Sequence, residues 1–357
     1  MAFKRLDPED FIVSSDSVTS TVWSNNSPSL NSYYSSSVQV EGSSGPFYIS
    51  VYNTASNSST AEVQFQIAYG NRNGGGGVDY DGAVPNVSAT STIYGQYRAL
   101  ILEDENANFT WGTSFTGSGG DNDFYAISVE RARYKQTLLP GSTNIVLSGS
   151  GNMAALHLTD NSNMVSLPDY YGTTRVYQLI SGSNGSSFDG GVGYSNASGS
   201  YGWFLPDIAT ILLNPSALGS AVDGIEMVTT TTNNSNAANP TTLFKVFEES
   251  GIVAVDPSKT FITNVYQANS QETLTSDFVF IRTRNSEFNY SENPTFISGS
   301  TGEVIYTYFI NNPTVFPTTI GLYNDSSDLL AVAKLSKPLQ KDFTKEALVR
   351  VLNCISI

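Results

Sequence analysis

The sequence predicts a mainly β protein with a few short helices, an α+β chain of antiparallel, sandwich-like sheets joined by long loops. Three observations favour this class. Aromatic residues make up 12% of the 357 residues, with 20 Tyr and 19 Phe, which is too much apolar surface for a disordered chain. Polarity comes mainly from Ser, Thr, Asn and Gly, which favour turns, while charged residues are only 14%. Apolar residues alternate with polar ones in many short segments, and helical spacing is confined to a few windows.

An extended arm is expected over residues 1–46. Its few apolar side chains, such as Phe11, Val13 and Trp23, stand among Ser, Asn and Pro. Such a segment buries little of itself, so it cannot offset the entropy of ordering its own backbone. We therefore expect the arm to be ordered by another part of the chain or by a neighbouring copy.

Residues 47–145 are predicted to form a β-rich domain with one helix. Its expected elements are two alternating segments paired as a hairpin, then a helix, then two further strands: residues 47–52, 61–69, 91–102, 124–129 and 144–147. In the helical window, Tyr94, Tyr97 and Ile101 fall on one face, which predicts the face that packs on the sheet.

Residues 146–275 are predicted to be a mixed central region with Gly/Ser/Asn-rich insertions, the clearest of them at about 181–201. The most apolar stretch of the chain, residues 203–214, is expected to be buried. Residues 215–219 read as one helical turn stopped by Gly, and residues 241–249 as a short helix after Asn-Pro.

Residues 276–357 are predicted to be a C-terminal antiparallel β region. The expected strands are residues 277–284, 303–309, 318–323, 329–335 and 347–357. The polar sequence Asn324-Asp-Ser-Ser-Asp328 separates two of them, so residues 318–335 are predicted to form a hairpin that turns there.

The charge balance disfavours nucleic acid and anionic membranes as principal partners. Seventeen Lys and Arg stand against 32 Asp and Glu, a net charge of −15, whereas nucleic acid and anionic membranes require a basic surface. A single Cys excludes an intramolecular disulfide. No signal peptide or 18-residue apolar span is recognisable, so we expect synthesis in a cytoplasm without export.

Charge is also unevenly distributed. Residues 331–357 carry five Lys or Arg against two acidic residues, a net +3, which leaves −18 for residues 1–330. Two interpretations stay open. In the first, the basic residues, Lys341 among them, form a solvated edge that protects a terminal strand from pairing. In the second, this basic segment meets an acidic surface of an adjacent copy.

Residues for catalysis are few. His157 is the only histidine, it stands at an alternating position, and no Gly-x-Ser-x-Gly elbow occurs, so a structural role is expected for it. Residues 149–154 match a dinucleotide-binding fingerprint, but no helix of the required length follows. We therefore expect a hairpin turn there.

Metal binding is likewise weakly indicated. Zinc is disfavoured by one His and one Cys. The pairs Asp79/Asp81 and Asp121/Asp123 could contribute to a calcium site, but neither continues into an EF-hand pattern, and loop solvation is the preferred interpretation. Glycoside hydrolysis by two carboxylates that the fold brings together stays an open alternative, because sequence spacing does not decide it. We predict no catalytic, cofactor-binding or metal-binding residue, and no enzyme.

Four stretches resemble a family of virion structural proteins of T4-like, contractile-tailed bacteriophages. The longest runs from Thr319-Ile-Gly-Leu-Tyr-Asn-Asp to Ala347-Leu-Val-Arg-Val351. The others are Glu287-Phe-Asn-Tyr-Ser-Glu-Asn-Pro-Thr-Phe296, Ile93-Tyr-Gly-Gln-Tyr-Arg98, and Arg131-Ala-Arg-Tyr-Lys-Gln136 with Leu139-Pro-Gly141.

The resemblance implies a structural component of the virion in the tail, baseplate or neck, assembled in the host cytoplasm. Its partners would be other virion proteins and copies of itself, with no nucleic acid, no membrane, no cofactor and no catalytic residues. A capsid-decorating role also stays open. So does a tail-associated adhesin that binds host surface glycan through aromatic, Asn-rich loops. A glycan-cleaving enzyme is a third, less favoured hypothesis.

Overall fold

The computed structural model describes residues 3–28, 32–34, 48–74, 89–111, 122–147, 155–188, 200–218, 243, 246 and 265–355, and the predicted mainly β class is confirmed. The chain divides into two compact units. The terminal unit comprises Met1–Ser17 and Thr273–Ile357, and the central unit comprises Val18–Glu272.

The elements of the described residues are mostly short strands. The strands are β1 Phe11–Thr21, β2 Ser32–Tyr34, β3 Tyr48–Tyr52, β4 Val63–Asn71, β5 Asp123–Val129, β6 Thr137–Leu138, β7 Asn144–Leu147, β8 Leu156–Asp160, β9 Asp169–Tyr171, β10 Thr174–Ser183, β11 Ser186–Ser187, β12 Gly202–Leu205, β13 Thr210–Leu213, β14 Tyr266–Gln267, β15 Asn269–Thr283, β16 Thr319–Tyr323, β17 Leu329–Lys334 and β18 Ala347–Ile355. The helices are α1 Ala89–Ile101, α2 Pro215–Leu218 and α3 Tyr308–Asn311, with 3-10 turns at Pro8–Asp10, Arg131–Arg133 and Pro206–Ile208.

The central unit is built on one large sheet that curls into a half-barrel. Its strand order is β14-β7-β8-β10-β12-β13-β5-β4-β3-β2, with β9 and β11 also paired to β10. Neighbouring strands are antiparallel. The predicted β3–β4 hairpin is confirmed, with Ile49 opposite Ile67. β7 and β8 also pair as expected, from Asn144 opposite Thr159 to Leu147 opposite Leu156, while residues 148–154 lie outside the described residues.

The middle of this sheet is buried on both faces. In β5, Tyr125 and Ile127 belong to a larger apolar core, whereas Phe124 and Ala126 on the opposite face belong to a smaller one. Every residue of β12 and β13 is buried. This explains why residues 203–214 are the most apolar stretch, since a strand covered on both faces carries no polar alternation.

Helix α1 covers the smaller core. Tyr94 stacks on Phe124 with ring centroids 5.5 Å apart, Ile101 is buried, and the Tyr97 hydroxyl lies 3.1 Å from Ser128 Oγ. The helix and the face predicted from Tyr94, Tyr97 and Ile101 are thus confirmed. Gly70 in β4 permits this contact, because a Cβ there would lie 3.2 Å from the Tyr94 amide nitrogen.

The terminal unit contains two separate pairings. β15 and β18 are antiparallel over nine residue pairs, from Thr275 opposite Ile355 to Thr283 opposite Ala347, and β1 lies on the other side of β15. β16 and β17 form a two-stranded sheet of their own. The predicted hairpin over residues 318–335 is therefore confirmed.

The strand expected at residues 303–309 is wrong. The chain bends at Ile305 and Tyr306, and α3 begins at Tyr308. The Ile305 amide donates to the Phe296 carbonyl at 3.0 Å, and the Phe309 ring lies 5.0 Å from the Phe296 ring. The apolar residues of this segment are used in local packing on residue 296, so their alternation does not produce an extended strand.

The division into units differs from the four regions expected from the sequence. The boundary after Glu272 lies close to the expected one at 275/276, whereas those at 46/47 and 145/146 fall inside the central unit. In the expected arm, residues 11–21 form β1, and Trp23 is buried in the larger core of the central unit. Residues 35–46 lie outside the described residues.

Candidate interaction surface

Apolar side chains of the terminal unit lie mainly at its surface. Among its described residues, three hydrophobic side chains are buried: Val279, Phe296 and Val315. Sixteen large hydrophobic side chains are exposed: Phe3, Phe11, Ile12, Val13, Tyr290, Ile305, Tyr306, Tyr308, Ile310, Phe316, Tyr323, Leu329, Leu330, Val332, Phe343 and Leu348. Scattered exposed apolar residues are ordinary, but this concentration in one unit is typical of a protein-binding surface.

The β16–β17 hairpin is the most open part of this surface. Leu329, Leu330 and Val332 are 52%, 68% and 59% exposed. A two-stranded hairpin is only marginally stable in water without a third strand or a covering element. Tyr323, the last residue of β16, makes a T-shaped ring contact with Phe3, with ring centroids 5.2 Å apart.

The turn of the hairpin fixes its register. The Asn324 amide donates to the Asp328 carbonyl at 3.0 Å, and the Asp328 amide donates to Asn324 Oδ1 at 2.7 Å. Asn324 Nδ2 also donates to Asp328 Oδ2 at 2.9 Å, and Ser327 adopts a left-handed backbone with φ of 67°. Asp328 is thereby held in the turn, immediately before β17, and the strand register shifts between Leu322 and Tyr323.

A groove on the same unit adds to the apolar surface. Its volume is about 520 Å³, and its apolar lining comes from Ile12 on β1, Phe280 on β15 and Leu348 on β18. Arg282 and Glu346 also line it, with Arg282 Nη2 3.7 Å from Glu346 Oε2. Both side chains of this ion pair are exposed, so it contributes little to stability.

Lys341 supports this surface from inside and corrects the sequence interpretation, because it is not part of a solvated basic edge. It is 1% exposed. Its Nζ donates to the Asn285 carbonyl at 2.9 Å, to Asn289 Oδ1 at 2.8 Å and to the Asp342 carbonyl at 3.0 Å. Its backbone exchanges two hydrogen bonds of 2.9 Å with Val315. The three donors of the ammonium group are therefore satisfied by neutral oxygens.

The central unit contains a different kind of cavity. Its volume is about 300 Å³, and side-chain amides dominate its lining: Asn26, Asn144, Asn163, Asn184, Gln267 and Asn269. Asn144 Oδ1 accepts from Ser183 Oγ at 3.1 Å and from the Asn184 amide at 2.7 Å, which holds this wall in place. Amide groups offer both donors and acceptors without charge, so this amide cavity suits a neutral, hydroxyl-rich ligand.

Asp160 organises the wall beside the amide cavity. Both of its carboxylate oxygens accept from the Gly141 amide at 2.9 Å, and Oδ1 also accepts from the Ser162 amide at 3.0 Å. Burial raises the pKa of Asp160, and these hydrogen bonds oppose the increase. The carboxylate is thus used to anchor two loop amides. Sequence reasoning missed this cavity because its residues are dispersed, and Asn-richness was the one signal for it.

The residues considered for catalysis are not brought together. His157 lies on β8 with an exposed side chain, and its ring contacts Phe188 edge-on at 5.7 Å. Residues 149–154 lie outside the described residues, as do Asp79, Asp81 and Asp121. Asp123 accepts a hydrogen bond from the Tyr69 hydroxyl at 2.6 Å.

Among the described residues, no cluster of three or more His, Cys, Asp or Glu side chains is arranged to hold a metal ion. No helix in the same part of the chain has the length and hydropathy needed to cross a membrane.

Comparisons with protein families, with curated proteins and with solved structures found no match to this chain.

Proposed function

We propose that this chain is a structural component of a bacteriophage virion, in the tail, baseplate or neck, that acts through protein–protein contacts. The observation that carries the proposal is made on the described residues of the terminal unit, where large apolar side chains are exposed in greater number than they are buried. A surface of this kind is stable and soluble when neighbouring subunits cover it.

The position of the resembling stretches supports the proposal. The stretch 319–351 includes the exposed hairpin, Lys341 and part of β18. The stretch 287–296 includes Asn289, which accepts a hydrogen bond from Lys341, and Phe296, which is buried. Two stretches that resemble virion proteins thus build the same unit and the same open surface.

The test is to locate the chain in purified particles. Mass spectrometry of particles from the infected host should detect it at a fixed copy number, and a cryo-EM map should place it in the tail, baseplate or neck. Density on the capsid surface would instead support the capsid-decorating alternative. Absence of the chain from the particles would contradict the proposal.

The matched variants are Val332→Lys and Asn106→Lys. Both add one lysine at an exposed position, the first on the hairpin and the second in a loop of the central unit. When each replaces the wild-type chain during infection, Asn106→Lys should enter particles normally and Val332→Lys should be depleted. Equal incorporation of the two would show that the hairpin is not the contact.

A second candidate function is a tail-associated adhesin, which the amide cavity favours. Isothermal titration with neutral host-surface oligosaccharides tests it. Asn269→Asp would keep the size of a lining residue and add a charge, and Asn106→Asp is the control outside the cavity. Binding that is lost in the first variant and kept in the second would support the adhesin. No binding by the wild-type chain would exclude it for those ligands.

A further inference from the structure

Part of the lining of the amide cavity is fixed by hydrogen bonds within the protein. Asn163 Nδ2 donates to the Asn184 carbonyl at 2.7 Å, and the Asn163 amide donates to the Gly185 carbonyl at 3.0 Å. Asn144 Nδ2 donates to Asn184 Oδ1 at 3.0 Å. Gly141 approaches the same turn closely, since a Cβ on Gly185 would lie 2.9 Å from the Gly141 Cα. These amide groups are used to hold the shape of the cavity.

Two further side chains of the lining carry amide groups that are free. Gln267 lies directly opposite Asn144 in the β14–β7 pair. The backbone of Asn269 is held on both sides, because its amide donates to Ser142 Oγ at 2.9 Å and its carbonyl accepts from the Leu139 amide at 2.8 Å. The side-chain amides of Gln267 and Asn269 form no hydrogen bond with the described residues. Each offers a donor and an acceptor to a ligand.

The size and charge of the cavity restrict this ligand. A volume of about 300 Å³ is at the lower end of ligand pockets, which span about 300–1,000 Å³. None of the described lining residues is charged, and Asp160 beside them uses its carboxylate to accept from the Gly141 and Ser162 amides. An ionised ligand would lose hydration without gaining an opposite charge. The cavity therefore suits a neutral unit of about one sugar ring.

The apolar part of the lining selects the substituent on that ring. Leu139 and Pro140 are half-buried and line the cavity together with the free amides of Gln267 and Asn269. An acetamido group has an N–H and a C=O that pair with a carboxamide, and its methyl group packs on apolar side chains. A hydroxyl group offers one polar atom and no methyl. The combination of free amides and apolar side chains thus favours an acetamido sugar over a plain hexose.

We propose that the amide cavity binds one N-acetylhexosamine residue of a host surface glycan. Gln267 and Asn269 hydrogen-bond the sugar, whereas Asn144, Asn163 and Asn184 are positioning residues. This inference deepens the second candidate function, the tail-associated adhesin, and rests on it for its biological purpose. The binding itself is a property of the isolated chain.

Titration of the isolated chain with methyl glycosides, followed by NMR, tests the ligand class. At least one of the N-acetylglucosamine and N-acetylgalactosamine glycosides should bind. The matching glucose or galactose glycoside should bind about tenfold more weakly, since it loses the hydrogen bonds and the methyl contact of the acetamido group. The matching amino sugar, which carries an ammonium group, should bind more weakly still. No binding of either acetamido sugar, or equal binding of the plain hexose, would overturn the proposal.

Alanine variants test the site. Asn269→Ala and Gln267→Ala should each weaken binding of the acetamido sugar about tenfold and leave the thermal unfolding midpoint unchanged, because these side chains have no partner among the described residues. Asn163→Ala should lower the midpoint as well, since it removes a hydrogen bond to Asn184. Asn106→Ala, at an exposed loop position, is the control and should bind like wild type. Wild-type binding by both Asn269→Ala and Gln267→Ala would overturn the site. The sugar panel decides the proposal even if a variant does not fold.

The adhesin and the acetamido site fail separately. A chain that binds plain hexose and acetamido glycosides equally well would leave the adhesin standing and overturn the acetamido assignment. A chain that binds N-acetylhexosamine in this cavity but is absent from purified tails would overturn the adhesin and support the binding site.

Discussion

Lys341 shows how one residue can organise a unit that has a small apolar core. Its ammonium group joins residues 285 and 289 to residues 341 and 342 through three hydrogen bonds of 2.8–3.0 Å. Among the charged groups of the described residues, no carboxylate lies within salt-bridge distance of it. The buried cation is stabilised by neutral oxygens, so its contribution depends on keeping all three contacts.

Lys341→Met should destabilise the terminal unit by about 2–4 kcal/mol, because the apolar stem is kept while three buried acceptors lose their donor. Urea unfolding followed by circular dichroism measures this change. Lys337→Met removes the same charge at an exposed position and should change stability by less than about 0.5 kcal/mol. Equal effects of the two variants would show that the hydrogen bonds of Lys341 contribute nothing specific.

Asp123 is expected to make the stability of the fold depend on pH. Burial raises its pKa, and the hydrogen bond from Tyr69 partly opposes this increase. A carboxyl group with a raised pKa in the folded state stabilises the fold fully below its unfolded pKa of about 4, and this contribution is lost as pH rises through the folded pKa.

Asp123→Asn should therefore become progressively more stable relative to wild type as pH rises from about 4 to 7, since the amide never ionises. Chemical unfolding at a series of pH values measures the difference. Asp16→Asn, at an exposed position of β1, is the control for the chemical change from carboxylate to amide. A difference for Asp123→Asn that is constant or falls with pH would contradict the direction of the shift.

At the scale of elements, α1 is held by aromatic packing on β4 and β5. Tyr94 contacts the rings of Phe109 and Phe124, and Phe109 stacks on Trp111 with centroids 5.6 Å apart. Gly70 in β4 leaves room for this packing, because a Cβ there would lie 2.8 Å from the Phe124 ring. The docking of the helix thus depends on the absence of one methyl group.

Gly70→Ala should destabilise the chain by about 1–3 kcal/mol through overpacking beneath α1. Gly95→Ala is the matched control within the helix, since a Cβ at residue 95 meets nothing within 4 Å. That variant should be neutral or stabilising by up to about 1 kcal/mol, because Ala is the better helix former. Thermal and urea unfolding compare the two. A Gly70→Ala variant as stable as wild type would contradict the close approach of α1 to β4 at this residue.

The whole molecule combines a deeply buried unit with an open one. In the central unit, β12, β13 and most of β5 are buried and have a paired neighbour on each side. In the terminal unit, the hairpin of β16 and β17 has two pairing edges and exposed apolar side chains. Stability should therefore differ widely along one chain.

Hydrogen exchange should reveal this difference directly. Amides of β5, β12 and β13 should exchange slowest, through global unfolding, and those of β16 and β17 should be the fastest among the strands, through local opening. Exchange followed by mass spectrometry at low protein concentration measures both sets of amides. Peptides from β15 and from its partner strand β18 serve as an internal reference. Hairpin amides as protected as those of β5 would contradict this expectation.

The sequence by itself determined the mainly β class, the helix over α1 with its buried face, the burial of residues 203–214 and the hairpin that turns at residues 324–328. Each depends on local periodicity or turn chemistry, which a window of about ten residues contains.

Tertiary structure decided the rest. Residues 303–309 alternate like a strand but fold back on Phe296. Lys341 reads as a surface charge until Asn285 and Asn289, more than 50 residues earlier, surround it. The amide cavity collects side chains from Asn26 to Asn269. These contacts join distant residues, and no local pattern encodes which of them will meet.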